Sequence, residues 1–204
     1  TATNSVIDTI SSIGRFPSYY FGSIAFDSEN NRMYYSLGHW MHDISKRIRY
    51  IDTADYSVSS DITTGEKIST GMAFDSANNR MYVVNINNWG REYPTEIIAP
   101  DNASVSVINT ATNGLIANIE VGDRSSGIAF DSANNRMYVV NRNDDTVSVI
   151  STATNSVIDT ISVGDVPLGI AFDSANNRMY VSNQSDDTVS VISTATNSVI
   201  DTIS

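Results

Sequence analysis

The run FDSANNRMYVVN occupies residues 74–85 and returns unchanged at 130–141; residues 172–183 read FDSANNRMYVSN and residues 26–36 read FDSENNRMYYS. A chain that writes one string four times builds one small unit four times. Self-similarity at a period of about 20–50 residues is the signature of solenoids, propellers or arrays. The phenylalanine that opens the string stands at 26, 74, 130 and 172, with spacings of 48, 56 and 42 residues. The chain also opens and closes with the same residues, TATNSVIDTIS, at 1–11 and 194–204.

Within each unit apolar and polar residues alternate, β-branched residues dominate, and Asn, Asp, Ser and Gly clusters punctuate, which is strand-and-turn patterning. No apolar 3.6-residue period survives for two turns. The last unit predicts strands GIAFD (169–173), RMYVSN (178–183), TVSVIS (188–193) and SVIDTI (198–203), joined by SANN, QSDD and TATN. Asn, Asp, Ser and Thr suit such links because their side chains accept hydrogen bonds from the local backbone and tolerate unusual dihedrals. A four-stranded antiparallel meander repeated every ~42 residues is a β-propeller blade. The predicted fold is therefore all-β: four-stranded blades, about four per chain, plus one extra outer strand at 5–10. The units run approximately 1–52, 53–109, 110–151 and 152–193, with a partial repeat at 194–204. One blade cannot cover both faces of its own sheet, so Ile170, Phe172, Met179 and Val181 and their counterparts are expected to fill the slot between neighbouring blades.

The stretch RMYVVN…DTVSVISTATNSVIDTISVGDVPLGIAFD resembles the YVTN family of β-propeller repeats. The matching residues are Tyr138-Val139-Val140-Asn141, Thr146 to Ile150, and Val163-Gly164 leading to Pro167 and Gly169. The resemblance implies that GIAFD is the innermost strand A, RMYVVN is B, TVSVIS is C and SVIDTI the outermost D. It spans four imperfect copies and carries little about function: relatives include surface-layer and cell-surface proteins, lactonase-like enzymes and propellers of redox enzymes. One D strand followed by four complete sets does not close a ring. Either the chain is a stretch of a longer array, or two chains close a ring of about eight blades as a homodimer. A four-bladed monomer with a spare strand leaves edges open, and open edges invite association. The chain starts at Thr1 in mid-pattern and is expected to be a mature or trimmed piece.

Charge narrows the partners. Twelve Lys and Arg against 23 Asp and Glu give a net charge of −11. Such a surface repels phosphate backbones and anionic membranes, so no nucleic acid is expected as a partner. No apolar run reaches the length of a membrane span. The absence of cysteine removes disulfides, thiol catalysis and Cys-ligated zinc. No GxSxG elbow, HExxH or P-loop is present, and no cofactor is expected. Asn102-Ala103-Ser104 and Asn183-Gln184-Ser185 match the glycosylation acceptor pattern. They agree with a secreted or cell-surface setting.

Function is expected where the copies differ. LGHWMHDISK separates Ser36 from Arg47, and INNWGREYPTEIIAPDNA separates Asn85 from Ser104; both lie between strands B and C. The D–A link RFPSYYFG (15–22) is longer than its counterparts and aromatic. B–C and D–A links leave a propeller on one face, so these three segments are expected to gather over the first two blades. The candidate ligand-binding residues are Tyr19, Tyr20, His39, Trp40, His42, Trp89, Arg91, Glu92 and Tyr93. Trp40 and Trp89 either stack on a sugar or peptide or pin long loops to the blades. His39 and His42, with Asp43, lack a third clear metal ligand, and no metal is expected there. The repeated Asp27–Arg32, Asp75–Arg80, Asp131–Arg136 and Asp173–Arg178 pairs are read as ion pairs closing the A–B hairpin. Glu66, Asp123 and Asp165 recur before strand A, where they could ring a channel mouth. Three functions follow: a binding or scaffold propeller that recognises a glycan or protein; an architectural tile of a larger assembly or fibre; and a lactonase-like or lyase-like enzyme with His39, His42 and Glu92 as acid–base candidates. The sequence leans away from an enzyme.

Overall fold

The computed structural model describes residues 19–39, 47–64, 68–86 and 102–204. They form four antiparallel sheets of four strands each, every sheet a simple meander. Blade 1 holds β1 (Tyr19–Asp27), β2 (Arg32–His39), β3 (Arg47–Asp52) and β4 (Ile62–Thr63). Blade 2 holds β5 (Ile68–Asp75), β6 (Arg80–Ile86), β7 (Asn102–Asn109) and β8 (Gly114–Asp123). Blade 3 holds β9 (Ser125–Asp131), β10 (Arg136–Asn141), β11 (Thr146–Ser151) and β12 (Ser156–Ser162). Blade 4 holds β13 (Pro167–Asp173), β14 (Arg178–Asn183), β15 (Thr188–Ser193) and β16 (Ser198–Ile203). The first strands are innermost: β1 lies beside β5, β5 beside β9, and β9 beside β13. The β-propeller architecture expected from the repeat is what the chain adopts. The extra strand expected at 5–10 lies outside the described residues.

The A–B hairpins explain the DSANN string. Asp131 Oδ1 accepts the backbone N–H of Ala133 and Asn134 at 3.0 and 3.2 Å, and its Oδ2 accepts Asn134 Nδ2 at 2.7 Å. The same bonds recur at Asp27, Asp75 and Asp173. The following asparagine, at 31, 79, 135 and 177, sits in the left-handed region with φ of 52–53°, where Asn is tolerated better than most residues.

These hairpins correct the reading of Asp and Arg as ion pairs. Among the described residues the ion pairs are Arg47–Asp61 and Arg49–Asp61. The hairpin arginines reach forward to the next blade instead. Arg32, Arg80 and Arg136 each donate Nη1 to the carbonyl of Thr110, Thr152 and Thr194 at 2.7, 2.8 and 3.1 Å. The tyrosine two residues on does the same, Tyr82 to Asn155 Oδ1 and Tyr138 to Asn197 Oδ1, both at 2.8 Å. The local Asp is already satisfied by its own turn, so the guanidinium is free to latch onto the neighbour.

Each blade has two unlike faces. The forward face of blade 3 presents Ala129, Tyr138, Val140, Val147, Val149 and Ile161, which pack on Ile170, Phe172, Met179, Val181 and Ile192 of blade 4. The junctions of blades 1 with 2 and 2 with 3 repeat this pattern. Phe, Met and Ile thus form the backward face, as expected for the interblade slot. Burying each such side chain stabilises the junction by about 1.5–3 kcal/mol relative to exposure. The innermost strands approach so closely that a Cβ on Gly71 would lie 2.5 Å from the Ser126 carbonyl oxygen, and one on Gly127 2.8 Å from that of Leu168.

Candidate functional site

Strand register places every B–C link and every start of strand A at the same end of the sheets. In blade 1, Tyr19 pairs with His39 and Tyr20 with Gly38. In blade 2, Ile68 pairs with Ile86, and Asn85 with Ser104. The strand ends that flank residues 40–46 and 87–101 therefore stand at one end of the sheets, with the start of β1. Of the candidate residues, Tyr19, Tyr20 and His39 stand at strand ends on that face. Trp40, His42, Trp89, Arg91, Glu92 and Tyr93 lie outside the described residues, as do Asp43 and Glu66.

On the regular blades this face is tied down by one buried asparagine at the end of strand B. Asn141 Nδ2 donates to Thr146 Oγ1 and Ser148 Oγ at 3.0 and 2.9 Å, while its Oδ1 accepts Ser125 Oγ at 2.8 Å and the Gly122 N–H at 3.2 Å. Asp144 Oδ2 accepts the Asp123 N–H at 2.7 Å, and Asp186 does the same for Asp165 at 2.8 Å. These acidic residues pin the D–A link to the B–C turn. Among the described residues no three His, Cys, Asp or Glu side chains cluster. The Asp123 carboxylate accepts Asn143 Nδ2 at 3.0 Å and so serves the structure of this turn. A shallow cleft of about 270 Å³ lies beside this turn, lined by Glu120, Asn141, Asp144, Ser148 and Thr160 among others. Asn183 is buried and donates to Thr188 and Ser190 at 3.0 and 2.9 Å. An amide held this way cannot receive a glycan, which corrects the reading of Asn183-Gln184-Ser185 as an acceptor.

Blade 1 departs from this plan at the foot of its insertion. Strand C reads RIRYID where blades 3 and 4 read TVSVIS. Arg47 and Arg49 thereby replace the Thr and Ser that serve the buried asparagine. Their partner is Asp61, at the place of Thr160. Arg47 Nη1 meets Asp61 Oδ2 at 2.7 Å, and Arg49 Nε meets Oδ1 at 2.6 Å. Burial pushes the Asp61 carboxyl up, but the two guanidiniums outweigh it and hold the group below its usual range. Asp61 in turn strengthens the proton on Arg49. Tyr35, opposite Arg49 in the register, is buried, and burial raises its phenol against the pull of Arg49. Two cations share one anion, so a local positive charge stands on a chain of net −11. Sequence reading passed over these four residues. The signal was available in the alignment of strand C between copies, since an arginine in two of the alternating polar positions breaks the repeat.

Comparison with known proteins bears on the fold more than the site. The hydrazine synthase of Kuenenia stuttgartiensis superposes with a TM-score of 0.72 at 16% identity, over 96% of this chain and 52% of that one. A functionally unknown protein from Desulfotomaculum acetoxidans DSM 771 gives 0.69 at 17% identity, over 91% and 56%. At these identities the likeness is one of fold, and the chain spans about half the length of either structure. No curated protein matches the sequence. The model of one family, described as lactonase, 7-bladed beta-propeller, matches residues 71–199, from the innermost strand of blade 2 into the outermost strand of blade 4. That span is well over half of the 204 residues, and the chain belongs to the seven-bladed β-propeller lactonase family.

Proposed function

We propose that this chain is a binding propeller, secreted or on a cell surface, whose ligand is a glycan or a protein held over the first two blades. The observation that supports this reading is where the blades differ. Blades 3 and 4 close their upper turns with Asn, Ser, Thr and Asp bonded to one another. Blade 1 replaces that closure by Arg47, Arg49 and Asp61 at the root of a segment carrying Trp40 and His42. Aromatic and arginine side chains are what binding surfaces concentrate. The resemblance to YVTN repeats, whose relatives include surface-layer proteins, agrees with this. The test is glycan-array and surface-protein screening of the chain, followed by Trp40→Ala/Trp89→Ala. Binding lost with circular dichroism unchanged supports the reading; an identified ligand that still binds the double variant at full affinity refutes it.

A lactonase-like hydrolase is the second reading, favoured by the family match over residues 71–199. His39, His42 and Glu92 are its acid–base candidates. Turnover of simple lactones, assayed with and without divalent metal, decides it: no turnover in either condition removes this reading.

A further inference from the structure

The two most regular blades serve as controls for each other. Residues 122–151 and 164–193 carry one sequence except at Arg124/Val166, Ser125/Pro167, Ser126/Leu168, Val140/Ser182, Arg142/Gln184 and Asn143/Ser185. All but Val140/Ser182 gather at one end of the sheets, where strand A begins and strand B ends. Ser125 pairs with Asn141 there, as Pro167 does with Asn183. The strand ends that flank both insertions of blades 1 and 2 stand at this same end.

Four of the six blade 3 residues have a structural task. Ser125 Oγ donates to Asn141 Oδ1, Ser126 Oγ to the Leu168 carbonyl at 3.0 Å, and Asn143 Nδ2 to Asp123 Oδ2 at 3.0 Å, while Val140 packs in the junction with blade 4. Arg124 and Arg142 have none. Their backbones touch, the Arg142 N–H donating to the Arg124 carbonyl at 3.4 Å, so the two side chains spring from neighbouring roots. Both residues are half-buried, and neither guanidinium has a hydrogen-bond or ion-pair partner among the described residues. The carboxylates of the turn do not account for them. Asp123, Asp144 and Asp145 recur in blade 4 as Asp165, Asp186 and Asp187, where no arginine stands in either place. Asp144 accepts the Asp123 N–H, Asp186 the Asp165 N–H, and Asp145 the Val166 N–H at 2.8 Å. Blade 3 thus adds two cations to a frame that is complete without them.

We propose that Arg124 and Arg142 form a carboxylate-binding subsite for a glycan that bears a uronic acid. The inference rests on the binding reading above and extends its site from the first two blades to the third. A guanidinium presents a planar pair of donors that matches a carboxylate. An acidic protein or a densely sulfated polymer meets repulsion over its whole length from a chain of net charge −11. A uronate brings its charge to the one place that answers it, and its hydroxyls can donate to the aspartates around it.

The experiment titrates a short oligogalacturonate into the 204-residue chain by calorimetry, with its methyl ester as the neutral match and dextran sulfate as the alternative anion. Expected is binding of the acid form alone, weaker as salt rises. The double variant Arg124→Val/Arg142→Gln should lower the affinity by about tenfold or more. It rewrites blade 3 in the residues of blade 4, where Val166 has φ 53° against 50° at Arg124, so the backbone accepts it. No binding of the acid form by the parent overturns the proposal, as does equal binding of the ester, a preference for dextran sulfate, or undiminished binding by the double variant. Trp40→Ala/Trp89→Ala separates this subsite from the reading it rests on. Oligogalacturonate binding that needs the arginines and not the tryptophans refutes the site over the first two blades and supports this one. An array glycan that needs the tryptophans, with no oligogalacturonate bound, refutes this subsite alone.

Discussion

The cross-blade arginine latch can be measured against an internal control, because the same hairpin occurs four times and only three copies have a neighbour in front. Take Arg32→Met, Arg80→Met, Arg136→Met and Arg178→Met, each made singly in the 204-residue chain. Methionine keeps the apolar stem and removes the charged head. Arg136 loses its bonds to the Thr194 carbonyl and Asn197 Oδ1, both at 3.1 Å. Arg80 loses a 2.8 Å bond and a longer one of 3.4 Å. Arg32 loses its 2.7 Å bond and its position 4.3 Å above the Tyr50 ring. Hydrogen bonds from an ionised donor contribute about 1.5–3 kcal/mol net, and these side chains are only half-buried, so the lower part of that range applies. Each substitution is expected to cost about 1.5–2 kcal/mol, which for a chain of this size lowers Tm by roughly 3–8 °C. Arg178→Met should stay within about 0.5 kcal/mol. Urea midpoints at unchanged m-value provide the second readout. Since the hairpins of Arg80, Arg136 and Arg178 share one sequence and that of Arg32 differs only by Glu29 in place of alanine, local propensity effects largely cancel. If Arg178→Met costs as much as Arg136→Met, the arginines act within their own hairpins and the latch is refuted.

Three further outcomes follow from the junctions and turns. Gly71→Ala and Gly127→Ala force a Cβ against the backbone of the next blade and should each cost about 1–3 kcal/mol or more in chemical denaturation; a neutral result would mean the innermost strands sit farther apart. Burial pushes the phenols of Tyr34 and Tyr82 up to about 12, and that of Tyr138 upward, against the opposing effect of the hairpin arginines. The fold therefore holds the neutral phenol, and this contribution is complete below about pH 10, where unfolded tyrosine ionises, then lost as pH rises toward 12. A urea midpoint that stays flat from about pH 9 to 12, or tyrosinate absorbance showing all 10 tyrosines titrating together, refutes it. Finally, Asn183 Oδ1 is buried without a partner among the described residues, because Pro167 stands where Ser125 serves Asn141. Ser125→Pro removes the 2.8 Å bond, leaves Asn141 Oδ1 the Gly122 N–H at 3.2 Å, and should cost about 0.5–1.5 kcal/mol; a melting temperature equal to the parent would show that the serine bond adds nothing.

What was legible in the sequence is what each copy settles locally. Strands β14, β15 and β16 have the bounds that alternation and Asn-rich turns predict, and β13 starts two residues early, at Pro167 instead of Gly169. The partners of Arg and Asp were not legible. A spacing of five residues across a tight hairpin suggests a local pair, yet the acceptor of Arg136 is 58 residues away. Comparing copies cannot reveal it, because every copy carries both donor and acceptor and the junction keeps them in step. The two-residue strand β4 shows the same limit: blade 1 reads DTADYSVSSDITT where the others read a full outer strand. As for the site, the insertions name their own positions, but the Arg47, Arg49 and Asp61 cluster becomes visible only when strand C is laid beside its neighbours.

A blade array leaves two kinds of surface open, edges and end faces, and this chain treats them differently. The outermost strands are blunted. In blades 2, 3 and 4 the register between strands C and D shifts at a common point, where the extra residue is Ile116, Ile158 or Ile200, each exposed. Beside the last two bulges Asp159 and Asp201 accept their own neighbours' N–H groups at 2.9 Å. A bulge twists the strand and spoils the ladder, and an edge charge resists pairing. Edge-to-edge addition of another sheet is thus discouraged wherever the repeat is regular. The faces between blades carry no such device: they are apolar throughout, from Met72 and Met81 to Met179 and Ile192. Protection at the edges together with apolar faces between blades favours one mode of packing, blade on blade, and discourages pairing of near-identical units through their rims.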